Sequence, residues 1–247
     1  MCRQVHQAHA IDHLRGYFGQ DKAREITSDR VTAYVAYRQE EKAASATING
    51  ELAALSRMFV LAVRAGKASS KPHIAKLQLN NARKGFFESE QFNAVLRQLP
   101  VEIRPVAVTA YVTGWRVADE ILTRQKHHLD LKAGWLRLEP GETKNNEGRM
   151  FPLTPMLREA LEQQLAKTDL LQKANGAIIP WLFHRRRPIK TFRRSWLTAC
   201  KAAGVPGKIP HHVRRTSVRN LERAGVPRSA AMKMVGHKTQ SIYRATR

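Results

Sequence analysis

The chain has 247 residues, 43% of them hydrophobic, and carries 43 Lys+Arg against 20 Asp+Glu for a formal net charge of +23. That length buries one large core or two smaller ones, and that charge calls for a polyanionic partner, most commonly nucleic acid. With only Cys2 and Cys200, no long apolar run and no signal-peptide core, a disulfide framework, a zinc site, a membrane partner and secretion are not expected, and the protein is placed in the cytoplasm.

The chain begins in helical pattern. Val5, Ile11, Leu14 and Phe18 form a loose stripe, and Val31, Tyr34, Val35 and Arg38 follow a Thr27-Ser28-Asp29 start signal. The clearest helix carries Ile48, Leu52, Leu55, Phe59, Ala62 and Val63 at helical spacing and is closed by Gly66. Residues 1–80 therefore read as a small helical domain whose first helix is cut short. Gly66-Lys67-Ala68-Ser69-Ser70-Lys71-Pro72 and Asn80-Asn81-Ala82-Arg83-Lys84-Gly85 are linker-like, and the boundary is expected between them and a second domain at 86–247. Such a basic linker either runs along a phosphate backbone or is merely solvated.

The second domain is mixed. Ser89–Leu99 and Glu102–Val112 read as helices, and Arg116 opens another through Val117-Ala118-Asp119-Glu120-Ile121-Leu122. The period then changes to two. His128–Leu131 and Trp135–Leu138 flank Lys132-Ala133-Gly134 as a hairpin, and Arg149–Leu153 follows a second turn as a third strand. Thr154-Pro155 starts a helix through Leu157, Leu161 and Leu165. Ile178-Ile179 and Leu182-Phe183 read as a short extended piece, followed by helices near 191–203, 211–224 and 228–235. The fold class is mainly α with one small antiparallel β-sheet.

Singly, the polar residues of this domain say little. Arg116 fits a surface ion pair, and Lys144 a solvated hairpin tip. His211 and His212 suggest a metal pair, but no third ligand stands at suitable spacing. Arg214 and Arg215 fit a wet basic face, and Gly236-His237 a capped helix end.

In order, they form a pattern. Thr113-Gly114-Trp115-Arg116 with Asp119-Glu120-Ile121-Leu122, then Thr143-Lys144-Asn145-Asn146-Glu147-Gly148-Arg149, then His211-His212-Val213-Arg214-Arg215-Thr216, then Val235-Gly236-His237-Lys238-Thr239 are arranged as in the tyrosine recombinase, or phage integrase, family. The segment from about Phe87 to Tyr243 resembles that family's catalytic domain, and residues 1–80 resemble its helical core-binding domain. The resemblance implies site-specific recombination or integration of double-stranded DNA, with subunits associating on the DNA, and no small-molecule substrate. It implies a catalytic set of Arg116, Lys144, His211, Arg214 and His237 working without metal or other cofactor.

The chemistry suits those residue types. Two guanidiniums, Arg116 and Arg214, donate paired hydrogen bonds to the non-bridging oxygens of a phosphodiester as charge gathers there. His211 and His237 add donors, Lys144 protonates the leaving 5′ oxygen, and a tyrosine stores the bond as a 3′-phosphotyrosine. Here the chain departs from the pattern. The position at which the family usually carries its tyrosine, nine residues after His237, is Thr246, and the nearby tyrosine is Tyr243. Tyr243 is either the nucleophile or an aromatic packed on the core. The expectation is a product truncated by a disrupted reading frame, without the usual C-terminal helix. A DNA-binding remnant without the attacking group is the alternative, and a type IB topoisomerase a third reading.

Overall fold

The computed structural model describes residues 2–79, 85–142, 146–185, 187–240 and 243. The chain divides into two compact units, Met1–Ala82 and Arg83–Arg247. Among the described residues the secondary structure is helical apart from small antiparallel sheets, in agreement with the fold class read from the sequence.

The first unit contains α1 (Cys2–Phe18), α2 (Ser28–Glu40) and α3 (Ser45–Arg64). Thr27 caps α2, its side chain accepting the Arg30 N–H. Leu14 and Phe18 from α1, Val31 and Tyr34 from α2, and Ile48, Leu52, Leu55 and Phe59 from α3 make the core. By length and composition, the 20 residues of α3 would suffice to cross a membrane, contrary to the expectation from the sequence. Here, however, Ile48, Leu52, Leu55 and Phe59 fill a protein core, and Glu51 pairs with buried Arg38 at 2.8 Å. The stretch after Gly66 is less of a free linker than its composition suggests. Asn49 on α3 clasps the backbone of Leu77, donating to its carbonyl and accepting its N–H at 2.8 Å each. Ser28 Oγ accepts the His73 N–H, and Ile74 and Leu77 pack against the core.

The second unit opens with α4 (Ser89–Gln98) and α5 (Arg104–Thr113). A three-stranded sheet follows, in the order β1 (Leu129–Asp130), β2 (Trp135–Leu138), β3 (Arg149–Pro152), with Leu136 opposite both Leu129 and Phe151. Its strand period of two turns Leu136, Leu138 and Phe151 inward. Next come α6 (Pro155–Asn175), the two-residue strands β4 (His184–Arg185) and β5 (Arg187–Pro188), α7 (Arg193–Ala202), α8 (Pro210–Arg223) and α9 (Arg228–Val235). The extended piece expected around 178–183 lies slightly later, because Leu182 and Phe183 are core residues and the ladder begins at His184. The main core gathers Phe87, Phe92, Val106, Trp115, Leu136, Phe151, Leu157, Leu161 and Trp196. A smaller cluster of Val218, Ala231, Val235 and Tyr243 joins α8, α9 and the residues beyond.

Candidate active site

The first arginine is presented by a sharp break in the chain. Helix α5 stops at Gly114, which has φ +65°, and a Cβ there would lie 2.9 Å from Ser217 Oγ. Glycine alone meets both conditions without strain. Trp115 is buried and donates its indole N–H to the Met234 carbonyl at 2.8 Å, joining the break to α9. Arg116 then leads not into an α-helix but into one π-helical turn, Val117–Ile121. The wider turn brings Glu120 back beneath Arg116. Its carboxylate accepts the Arg116 backbone N–H at 2.7 Å and the guanidinium at 2.6 Å.

Glu120 is the hub. It is fully buried, and Arg149 on β3 donates to it at 2.8 Å. Arg214 on α8 approaches it at 3.9 Å. Burial works to raise the pKa of this carboxyl, but the hydrogen bonds from Arg149 and from the Arg116 N–H, with both guanidinium charges, hold it below the usual carboxylate range. Arg214 is itself buried and spans two carbonyls, Gly114 at 2.5 Å and Val235 at 2.8 Å. Its pKa is pushed down to about 10, first by burial and then by the charge of Arg116. The Val235 carbonyl also accepts Arg149 at 3.2 Å. Val235 ends α9, and its carbonyl lies at the negative end of that helix's dipole, where cations are favoured.

His237 follows Gly236, the left-handed cap of α9 at φ +73°. The ring is buried, and its Nδ1 has no hydrogen-bond partner among the described residues. Burial, then the charges of Arg214, Arg116 and Arg149, push its pKa down to about 3, so the ring is neutral at physiological pH. Three guanidiniums and one carboxylate thus meet around a neutral imidazole, leaving two positive charges uncompensated within this group. Arg116, its side chain 34% exposed, carries the surplus to the surface. The arrangement can take up an anion with several charge-assisted donors at once.

Of the residues singled out in the sequence, Arg116, Arg214 and His237 are brought together. His211 is exposed at the start of α8, one helical turn before Arg214. Lys144 and Thr246 lie outside the described residues. Tyr243 is fully buried among Val218, Ala231 and Val235, its ring edge-on to His237 with centroids 5.8 Å apart. Elsewhere in this unit, Arg219 and Arg223 on α8 both pair with Glu88, at 2.6 and 3.4 Å, whereas Arg193 and Arg194 are exposed at the start of α7.

Sequence reasoning quoted Glu120 and Arg149 inside motifs without giving either a role. A signal for Arg149 was present. In a strand it shares the inward face with Phe151, two residues on, and a charge on an inward face needs a partner. Glu120, buried in the turn while its neighbour Asp119 is exposed, is that partner.

Residues 86–245 match the phage integrase family model. Tyrosine recombinase XerC of Roseiflexus sp. (strain RS-1) is 24% identical over 237 residues, covering 89% of this chain and 74% of the relative. Tyrosine recombinase XerD of Halalkalibacterium halodurans is 26% identical over 239 residues, covering 90% and 78%. Among solved structures, the Tn1549 transposon integrase in complex with transposon right end DNA superposes with a TM-score of 0.81 at 16% identity, over 100% of this chain and 89% of that one. A lambda integrase dimer bound to a COC′ core site gives 0.77 at 19% identity, over 98% and 90%. These structural likenesses establish the fold, and the family match over most of the chain establishes the kinship: this chain belongs to the phage integrase family.

Proposed function

We propose that the protein binds double-stranded DNA and holds one phosphodiester in the pocket of Arg116, Arg214, His211 and His237, in the service of site-specific strand breaking and rejoining. The observation that carries this reading is the surplus of two positive charges around Glu120, opening at Arg116. A tetrahedral phosphate with developing charge fits such a set of preorganised donors. Arg116 and Arg214 hold the non-bridging oxygens, neutral His237 donates from its ring, and His211 stands at the mouth. Lys144 gives its proton to the 5′ oxygen as that oxygen leaves. The XerC, XerD, lambda and Tn1549 relatives support DNA as the partner, and the lambda dimer and the lambda tetramer on a Holliday junction support association of copies on DNA. The helical unit of residues 1–82 supplies the second DNA-binding surface, and the protein works in the cytoplasm, where the DNA is.

A second reading, binding without cleavage, is favoured by the burial of Tyr243, whose side chain fills the cluster between α8 and α9. Incubation with a library of nicked duplexes of randomised core sequence separates the two. A covalent protein–DNA adduct in the wild type that disappears in Tyr243→Phe makes Tyr243 the nucleophile. Salt-sensitive binding with no adduct from either protein leaves the binding reading. Weak, salt-insensitive association with duplex DNA would sink both.

A further inference from the structure

Four consecutive residues of α8 each hold a different neighbour. Arg214 spans the Gly114 and Val235 carbonyls. Arg215 stacks on Phe86, its guanidinium carbon 4.9 Å from the ring centroid. Thr216 Oγ1 accepts the Phe87 N–H at 2.8 Å, and Ser217 Oγ donates to the Val112 carbonyl at 2.9 Å. Successive helical residues point about 100° apart, so these contacts surround the helix and fix its roll. Arg214 and Thr216 stand about 200° apart, which means that Thr216 braces α8 from the side away from the phosphate pocket.

The brace is a strap formed by residues 85–88. Thr216 is fully buried, and its hydroxyl proton goes to the His212 carbonyl at 2.9 Å, leaving its lone pairs for the Phe87 N–H. Phe87 has no room to withdraw, because its buried ring stands edge-on to Phe92 and Trp196. Gly85, at φ +137°, lies so near the His212 ring that a Cβ would come within 3.2 Å of it. Arg219, one turn beyond Arg215, donates to the Phe87 carbonyl at 3.3 Å and lies 4.5 Å from the Phe86 centroid. Lys208 donates to the Phe86 carbonyl, and Glu88 takes Arg219 and Arg223. The strap therefore follows α8 from His212 to Arg223, and Thr216 supplies the buried hydrogen bond at its centre. A guanidinium that must meet two phosphate oxygens tolerates little rotation of the helix that carries it, since small misplacements cost much of the interaction.

We propose that Thr216, through its bond to the strap at 85–88, is a positioning residue that aims Arg214 at the phosphate. This rests on the reading of Arg214 as a phosphate ligand. The test is binding of one duplex DNA by the full chain across a salt series, for Thr216→Val, Thr216→Ser, Arg214→Gln and the Thr216→Val/Arg214→Gln double variant. Valine has the shape of threonine without the hydroxyl, whereas serine keeps the hydroxyl. Arg214→Gln removes one phosphate contact and lowers the slope of log K against log salt by about 1. Thr216→Val is expected to lower the slope by about the same amount, and Thr216→Ser to restore it. The double variant is expected to lose no more than Arg214→Gln alone, because the two residues act as one unit. A role in stability alone predicts a wild-type slope in Thr216→Val, or losses that add in the double variant; either result overturns the inference. Phe86→Leu loosens the strap without altering α8. It is read in the wild-type and Arg214→Gln backgrounds in the same way, and it decides alone where Thr216→Val does not fold. An unchanged slope in Arg214→Gln removes the phosphate contact itself, and the inference with it.

Discussion

Arg149 and Gly236 meet so closely that a Cβ on residue 236 would overlap the Arg149 guanidinium. One strand of the sheet is thereby seated against the end of α9. The contact leaves Arg149 free to reach both Glu120 and the Val235 carbonyl. Gly236→Ala adds a left-handed conformation unfavourable to alanine, worth about 1 kcal/mol, to the displacement of Arg149. The expected result is a loss of roughly 2–4 kcal/mol of stability, because a buried charge pair is broken as well. Urea unfolding measures it. A variant within about 0.5 kcal/mol of the wild type would show that Arg149 has room to withdraw.

Glu120 should shape the acid limb of stability. Its folded pKa is lowered, so its contribution is complete above the unfolded value of about 4.3 and is lost as pH falls through the folded value. Glu120→Gln removes the charge that balances Arg116 and Arg149, at a cost of about 3 kcal/mol at pH 7. The same variant flattens the fall in stability below about pH 4.3. Melting curves from pH 3 to pH 7 for the two proteins check both, and parallel curves would contradict the hub role.

How far the sequence carried is clearest at particular residues. Helix α6 was legible from Thr154-Pro155 and the Leu157–Leu161–Leu165 stripe, and the hairpin from the alternation about Lys132-Ala133-Gly134. These signals are local, with period and cap written in neighbouring residues. The π-helical turn was not legible, since Val117, Ile121 and Leu122 suit an α-helix equally well; what distinguishes it is the pair of bonds from the Ile121 N–H to the Arg116 carbonyl, at 3.1 Å, and from the Leu122 N–H to the Val117 carbonyl, at 2.9 Å. Glu120 and Arg149 are 29 residues apart, and nothing in their spacing declares that they pair. Residues 67–79 have the composition of a linker, and the groups that attach them, Asn49 to Leu77 and Ser28 to His73, stand 28 and 45 residues earlier in the chain.

That attachment gives its own test. Asn49→Ala removes two hydrogen bonds to the Leu77 backbone, at about 1 kcal/mol each. The segment 67–79 should then be cut severalfold faster by trypsin after Lys67 and Lys76, the bond after Lys71 being protected by Pro72. Unchanged cleavage would mean that Ile74 and Leu77 hold the segment without Asn49.

Arg116 has a measurable place in binding. If it contacts one phosphate among many, Arg116→Ala lowers affinity uniformly across DNA sequences and reduces the slope of log K against log salt by about 1. A change confined to one DNA sequence would instead make Arg116 a reader of bases.

His237 offers the most direct view of the site's electrostatics. An ordinary histidine binds its proton near pH 6.5, whereas this one, buried beside Arg214, Arg116 and Arg149, does so only at about 3. Between those values the unfolded chain holds a proton that the folded chain refuses. Stability therefore declines as pH drops from about 6.5, by at most roughly 1.4 kcal/mol per pH unit from this group, and His237→Gln removes that slope. In the free protein the His237 ring signals should not titrate above about pH 5 in a proton NMR series. Bound DNA brings a phosphate whose negative charge offsets the guanidiniums, so the midpoint should rise toward the ordinary range. A free-protein midpoint near 6.5 would mean that the ring lies outside the arginine field; an unmoved midpoint with DNA bound would mean that no phosphate enters beside it.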